Sequence, residues 1–238
     1  MKNQYFGDIN DYRKYGLLRI LSNGGSMKIG VCWMLTADDG RPDGGHTHYL
    51  EEPEKWRKYD PDLFDLLKKT VRGAGVRDVR QLECTGILPA ALFYAQLLTD
   101  CPAERHNYFA EMLRRFEDVD LIFFDPDNGL GVKSTSLGRK DSCKYLYWHE
   151  VHSAFGRDHS LLVYQHFPRE EHEPFIQKIA RHIRCHLGGP TVHWFRTPHV
   201  VFFLAAQPNH VGRFGQQAGE VARVWATQID TGPLASTQ

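Results

Sequence analysis

At 238 residues, with Lys plus Arg equal to Asp plus Glu at 29 each and an isoelectric point near 7.2, the chain is long enough for one large α/β core. The balanced charge argues against a protein held to nucleic acid by bulk positive charge, and it leaves room for a local basic groove. The five cysteines are odd in number, widely spaced and without a Cys-x-x-Cys pair, which speaks against a disulfide framework or a structural zinc module and for a reducing, cytoplasmic setting.

Residues 8–21 predict an amphipathic helix capped by Asp8 or Asn10 and stopped at Asn23-Gly24-Gly25. Residues 28–36 predict a first strand, followed by a polar loop over 37–49 whose length goes with function or disorder. Asp60 caps and Pro61 opens a helix reaching Arg72. A strand is expected over 76–83, ending at Glu83, and a helix over 89–116, broken near Cys101-Pro102. Residues 119–125 predict a buried strand, 145–155 a helix, 160–166 a buried strand with a polar exit, and 170–185 an amphipathic helix. Residues 191–197 and 199–205 alternate and predict a hairpin around Thr197-Pro198. No stretch approaches the roughly 20 apolar residues of a membrane span, so no membrane partner is expected. The expectation is a single α/β domain over 1–214 and a weakly specified tail over 215–238. Its fold class is a Rossmann-like three-layer sandwich, a mostly parallel sheet with a C-terminal antiparallel hairpin, the layout of class I methyltransferases.

The most informative run is 121–130, LIFFDPDNGL. Four large apolar residues read as a strand buried on both faces, and the acidic turn after it falls where open α/β sheets place their ligands. Asp125, Asp127 and Asn128 are therefore the candidate catalytic residues, against the plainer role of an Asx turn closing the strand. The helix start at Gly7, Asp8 and Asp11, with Lys14 one turn inside, favours an anionic ligand or serves as a capped, solvated helix end. Asp38 and Asp39 lie in the loop after the first strand, where a nucleotide or S-adenosylmethionine sits in a doubly wound sheet. Glu83 stands where a ribose-binding carboxylate is expected. Gln165 and His166 leave the strand beside the acidic turn, and a basic loop carries Lys133, Arg139, Lys140 and Lys144. Of these, Gln165, His166, Lys140 and Lys144 are candidate substrate contacts. His182 and His186 are four apart on a helix, but Ile183 stands where a zinc protease carries its glutamate.

The order Gly7-x-x-x-Asp11-x-x-Lys14, early strand, acidic turn after Phe123-Phe124, then 160–166 resembles the large-subunit rRNA N6-adenine methyltransferases and the three-Cys-motif partner proteins. The chain also resembles, over most of 5–205, a bacterial and phage family of unassigned function that carries Phe6-Gly7-Asp8 and Asp125-Pro126-Asp127-Asn128-Gly129. The methyltransferase resemblance implies S-adenosylmethionine bound between Lys14, the loop after Thr36 and Glu83, with Asp125 at the target amine. In those enzymes the acidic residue is followed by Pro-Pro and an aromatic; here Asp127 and Asn128 replace the second proline and the aromatic. The expected activity is S-adenosylmethionine-dependent methyl transfer to an amine of a nucleic acid or nucleotide. Two alternatives stay open: a Mg²⁺-dependent phosphoesterase or nuclease using Asp125 and Asp127 with Asp38 or Asp39, and a catalytically degenerate binding module.

Overall fold

The computed structural model describes residues 1–40 and 44–233. Residues 41–43 of the predicted polar loop and 234–238 of the predicted tail lie outside the described residues. Eight helices and nine strands are described: α1 Ile9–Ser22, β1 Ile29–Cys32, α2 Pro53–Trp56, α3 Pro61–Leu67, α4 Arg80–Glu83, β2 Leu92–Tyr94, α5 Pro102–Arg115, β3 Leu121–Phe124, β4 Gly129–Leu130, β5 Tyr145–Leu146, α6 Trp148–Phe155, β6 Ser160–His166, α7 His172–His186, β7 Thr191–Arg196, β8 Val200–Ala206, α8 Val211–Val224 and β9 Asp230–Pro233. α1 begins where Asp8 accepts the backbone N–H groups of Asn10 and Asp11, and it closes on Asn23 in the left-handed region.

Seven strands form one sheet in the order β2-β1-β3-β6-β8-β7-β9. β2, β1, β3 and β6 pair in parallel, and β8 inserts antiparallel between β6 and β7. Five of the seven strands therefore share a direction, and the mostly parallel sheet with helices on both faces matches the expected Rossmann-like architecture. β4 and β5 form a separate two-stranded ladder under the acidic turn. From β1 the chain crosses to β2 on one side and then to β3 on the other. That makes the carboxyl ends of β1 and β3 the topological switch point, where open α/β sheets hold ligands. Among the described residues no helix is long and apolar enough to cross a membrane.

Strand parity divides the core. Val31, Leu121, Phe123, Leu162, Phe202 and Leu204 face one apolar layer, built with residues of α1, α3 and α8. Cys32, Ile122, Phe124, Leu161, Val163 and Phe203 face the other, built with α5, α6 and α7. Gly30 sits between them where a Cβ would lie 2.7 Å from the Phe116 ring, so the close approach of α5 to β1 requires glycine there.

Three sequence expectations are corrected. Residues 76–83 are not a strand: the buried pair is Val79 and Leu82, three apart, and the segment closes as the one-turn helix α4. The first part of 89–116 is not helical. Leu92–Tyr94 instead form the edge strand β2, while α5 starts at Pro102 as the break predicted. Residues 215–233 of the predicted tail are not weakly specified. α8 packs its Phe214 and Val221 into the core, Trp225 is 1% exposed, and β9 adds to β7. The domain boundary drawn after 214 would cut α8. Tyr12 meets Trp225 edge-on at 5.0 Å, Tyr59 stacks on it at 5.2 Å, and Gly16 of α1 leaves no room for even a Cβ against its ring.

Trp225→Ala is expected to lower stability by about 3–5 kcal/mol, the cost of emptying a large buried aromatic site. Urea unfolding followed by far-ultraviolet circular dichroism measures it, and a loss below about 1 kcal/mol would mean that the C-terminal helix is not part of the core.

Candidate functional site

The site grows from the parity of β3. Leu121 and Phe123 face the α1 layer, so the next residue of that phase, Asp125, emerges at the strand end on the α1 side. There it meets Lys14. The ammonium lies 2.7 Å from Asp125 Oδ2 and 2.6 Å from Asp11 Oδ1, and all three side chains are at most 4% exposed. The rings of Tyr15, Trp33 and Tyr164 surround it at 5.2, 5.8 and 6.0 Å. Asp11 Oδ2 also accepts the Gly7 N–H at 3.0 Å and the Tyr15 hydroxyl at 2.9 Å. Gly7 takes φ +79°, and a Cβ there would strike Val71.

The charges bias one another. Burial alone would lower the Lys14 pKa, but Asp11 and Asp125 outweigh it and the ammonium is held well above its ordinary range. Burial pushes the Asp125 carboxyl up, against the pull of Lys14. Asp8 is pushed up to about 7 by burial and by the neighbouring Asp11 charge. Asp127 sits on the outer side of the turn: its Oδ2 accepts the Thr36 hydroxyl at 2.8 Å, and its Oδ1 lies 2.6 Å from the Met1 nitrogen. That nitrogen also donates to the carbonyl oxygens of Asp125 and Met34, at 2.9 and 3.2 Å.

Above this layer opens a cleft of about 510 Å³ at the carboxyl ends of β1, β3 and β6. Asp8, Asn10, Asp39 and Asp127 border it with Lys2 and Lys144, and Tyr5, Tyr164, His46, His166 and His199 complete its wall. A recess of about 50 Å³ runs from its floor down to Lys14, Asp11 and Asp125. Lys2 pairs with Asp39 at 2.5 Å, and Gln4 donates to both loop carboxylates, from its backbone N–H to Asp38 and from its side chain to Asp39. The segment 1–8 is thereby stitched to the loop after β1.

The structure thus brings together Asp11, Lys14 and Asp125 in the floor, and Asp39, Asp127, Asn128, His166 and Lys144 on the cleft wall. Other predicted residues go elsewhere. Glu83 ends α4, not a strand, and its carboxylate accepts the Trp33 indole N–H at 2.8 Å. Asp38 is exposed beyond the cleft wall, and Lys140 stays on the outer loop. Gln165 belongs to the opposite parity and is a brace: its Oε1 accepts the Leu130 N–H at 2.9 Å while its Nε2 donates to the carbonyls of Asn128 and His166. Gly129, at φ +120°, clears it only for want of a Cβ. His182 and His186 both stand exposed on α7, and His186 stacks on Trp148. Sequence reasoning missed Tyr5 and Tyr164 as cleft walls. For Tyr164 the signal was there, because it shares the parity of Leu162 on the α1 side; for Tyr5 there was none, since it arrives by a crossing segment with no period.

Asp125 and Asp127 do not converge: one turns inward to Lys14, the other outward to Thr36. Among the described residues no group of three or more His, Cys, Asp or Glu side chains gathers in a way that could hold a metal ion. No family model matches the chain, and no curated protein or solved structure matches it.

Removing the ammonium should expose the cost of the buried carboxylates. Lys14→Met is expected to destabilise the protein by about 3–5 kcal/mol, and adding Asp125→Asn to recover part of that loss. Urea unfolding of the two variants decides it; equal stability of Lys14→Met and the parent would sink the ion cluster as a structural element.

Asp8 provides a pH test. A carboxyl whose pKa is near 7 in the fold, against about 4 unfolded, binds its proton more tightly in the fold. Its contribution to stability is complete below about pH 4 and is lost as pH rises toward 7. Asp8→Asn keeps a capping side chain, so it should match the parent near pH 4 and become the more stable of the two by pH 8. Melting curves across that range measure the gap, and a gap that does not widen with pH would refute the shift.

Proposed function

We propose that the protein is an S-adenosylmethionine-dependent methyltransferase acting on an amine of a nucleic acid or nucleotide. The observation that carries this reading is the carboxylate of Asp125, buried at the carboxyl end of β3, held by Lys14, and reached from the cleft by a narrow recess at the switch point. The antiparallel β8 between β6 and β7 adds support, because class I methyltransferases carry a last antiparallel strand after their parallel ones.

The donor set of the cleft fits the cofactor. A cavity of about 510 Å³ lies within the range of small-molecule sites. Its carboxylates, Asp8, Asp39 and Asp127, and the ring faces of Tyr5 and Tyr164 suit a ligand with ammonium and sulfonium charge. Asp8, Asp39 and Tyr5 would hold it; Lys14 and Asp11, expected at the cofactor, lie beneath and serve Asp125 instead. When bound, S-adenosylmethionine supplies an electrophilic methyl group.

The protein's own part is positioning and charge. Asp125 accepts a hydrogen bond from the amine N–H, which fixes the group and turns its nitrogen lone pair toward the cleft. Lys14 favours the ionised form of that carboxylate, against the burial that pushes its pKa up. Asn128, whose side chain borders the cleft beside Asp127, orients the ring that bears the amine. Gln165 acts through the backbone, holding the Asn128 carbonyl and so the shape of the turn.

Isothermal titration with S-adenosylhomocysteine is the test. Micromolar binding is expected, weakened about tenfold or more by Asp39→Ala or Tyr5→Ala and little changed by Asp38→Ala, whose carboxylate stands outside the cleft wall. Binding should be tighter at pH 8 than at pH 6, because Asp8 loses its proton across that interval. Absence of heat at high ligand concentration with the parent protein would end the methyltransferase reading. Full methyl transfer by Asp125→Ala would end the role given to that residue.

A further inference from the structure

Across the acidic turn from the cleft lies a second, larger cavity of about 1120 Å³. The two share Asn128 and His166 as a common ridge. Their chemistry differs. The cleft sets three carboxylates against two lysines and two tyrosine rings, whereas this cavity has one carboxylate, two lysines and the rings of Tyr145, Tyr147, Trp148, Phe167 and Phe175.

Its aromatic wall is rigid. Trp148 is backed by the His186 ring at 4.2 Å and 13°. Tyr147 is fixed by a hydroxyl bond to the Thr135 carbonyl at 2.9 Å and by the Arg105 guanidinium over one face of its ring at 5.0 Å. Arg105 in turn is 2% exposed and paired with Glu150, so the support is itself locked in place. At the mouth, Val132 and Leu137 are 44% and 41% exposed, an apolar margin without cover among the described residues. Lys133 and Lys178 are exposed on the wall and make no ion pair among the described residues; Glu170 is the acid among the lining side chains.

We propose that this cavity binds unpaired nucleotides of a single-stranded nucleic acid, next to the nucleotide whose amine reaches Asp125. It rests on the methyltransferase reading for what sits at Asp125, and names its substrate class. Fixed rings with cationic side chains beside them are the means by which proteins hold single strands: bases stack, phosphates meet lysines, and no sequence is read. A paired base offers no free ring face, so a duplex gains nothing from Tyr147 and Trp148. The shared ridge sets the aromatic cavity beside the cleft, so a strand held there can pass one nucleotide over Asn128 and His166 toward the recess that the cleft floor opens over Asp125.

Fluorescence anisotropy with labelled oligothymidylate and oligouridylate of about ten nucleotides, and with a duplex of the same length, tests this at about 50 mM salt and without cofactor. Both single strands should bind, and more tightly than the duplex. Trp148→Leu should weaken binding about tenfold or more. Lys133→Gln combined with Lys178→Gln should flatten the dependence of log affinity on log salt by about 1.4, the value for two phosphate contacts on a single strand. Both lysines are exposed, so this pair keeps the test decisive if Trp148→Leu does not fold. No strand binding by the parent, equal binding of the duplex, or unchanged affinity and salt dependence in the lysine pair would each overturn the proposal. Strand binding without S-adenosylhomocysteine binding would leave the cavity assignment standing and remove the methyltransferase reading; the reverse would remove this proposal alone.

Discussion

One ammonium group organises the switch point. Lys14 lies out of water between Asp11 and Asp125, and a lysine is held charged in such a place only if opposing charge repays its lost hydration. Each carboxylate belongs to a different piece of the fold, one to α1 and one to the end of β3, so the pair fastens the first helix to the central sheet. Asp11 passes the constraint on, taking the Gly7 N–H and the Tyr15 hydroxyl, which sets the path of the segment entering α1. Counting Lys14, Asp11 and Asp125, the three charges sum to −1, from one positive and two negative. Burial and the Asp11 charge of this cluster lift the nearby Asp8, against the pull of Lys14. The electrostatics of the cleft wall follow from the cluster under its floor.

The acidic turn is held as firmly from the other side. Gln165 reaches from β6 to three backbone groups of the turn and strand end, and the glycine at 129 is the only residue type that clears its amide at φ +120°. Gln165, a candidate substrate contact in the sequence, has its amide engaged on both sides as this brace. The consequence is that Asp125, Asp127 and Asn128 sit on a backbone fixed by β1, β6 and the β4–β5 ladder. A site so preorganised spends little ordering its groups when a ligand arrives.

Much of this was legible in the sequence where burial and period agree. β3 is an uninterrupted apolar run, β6 and β8 are largely apolar, and α1 carries its cap in Asp8; all formed where expected, though β8 is buried at every position and does not alternate. The Lys14–Asp125 contact was only half readable: the parity of β3 aims Asp125 at the α1 side, but residues 11–18 of α1 are buried without a break, so helical phase does not single out Lys14. What stayed hidden was decided by contacts distant in the chain. β2 is three residues long, edge-placed, with Leu92 40% exposed, and only its ladder to β1 makes it a strand. Trp225 is core because Gly16 and Tyr12, some two hundred positions earlier, leave a slot for it. The cleft walls Tyr5 and His199 likewise arrive from segments with no pattern of their own.

The position of the two cavities bears on the kind of reaction the fold suits. A hydrolase acting on one ligand needs a single pocket around its reacting bond, with water as the second reactant. Transfer between two bound molecules needs two pockets of different chemistry that meet at one point. Here a carboxylate-rich cleft and an aromatic, lysine-edged cavity lie on opposite sides of one rigid turn, sharing Asn128 and His166, and beside that ridge the recess descends to Asp125. Parity of the sheet enforces the separation, because Asp125 and Tyr164 belong to the α1 layer and Gln165 to the opposite one. A group passed from one ligand to the other would cross at the turn, the part of the site whose backbone is least free to move.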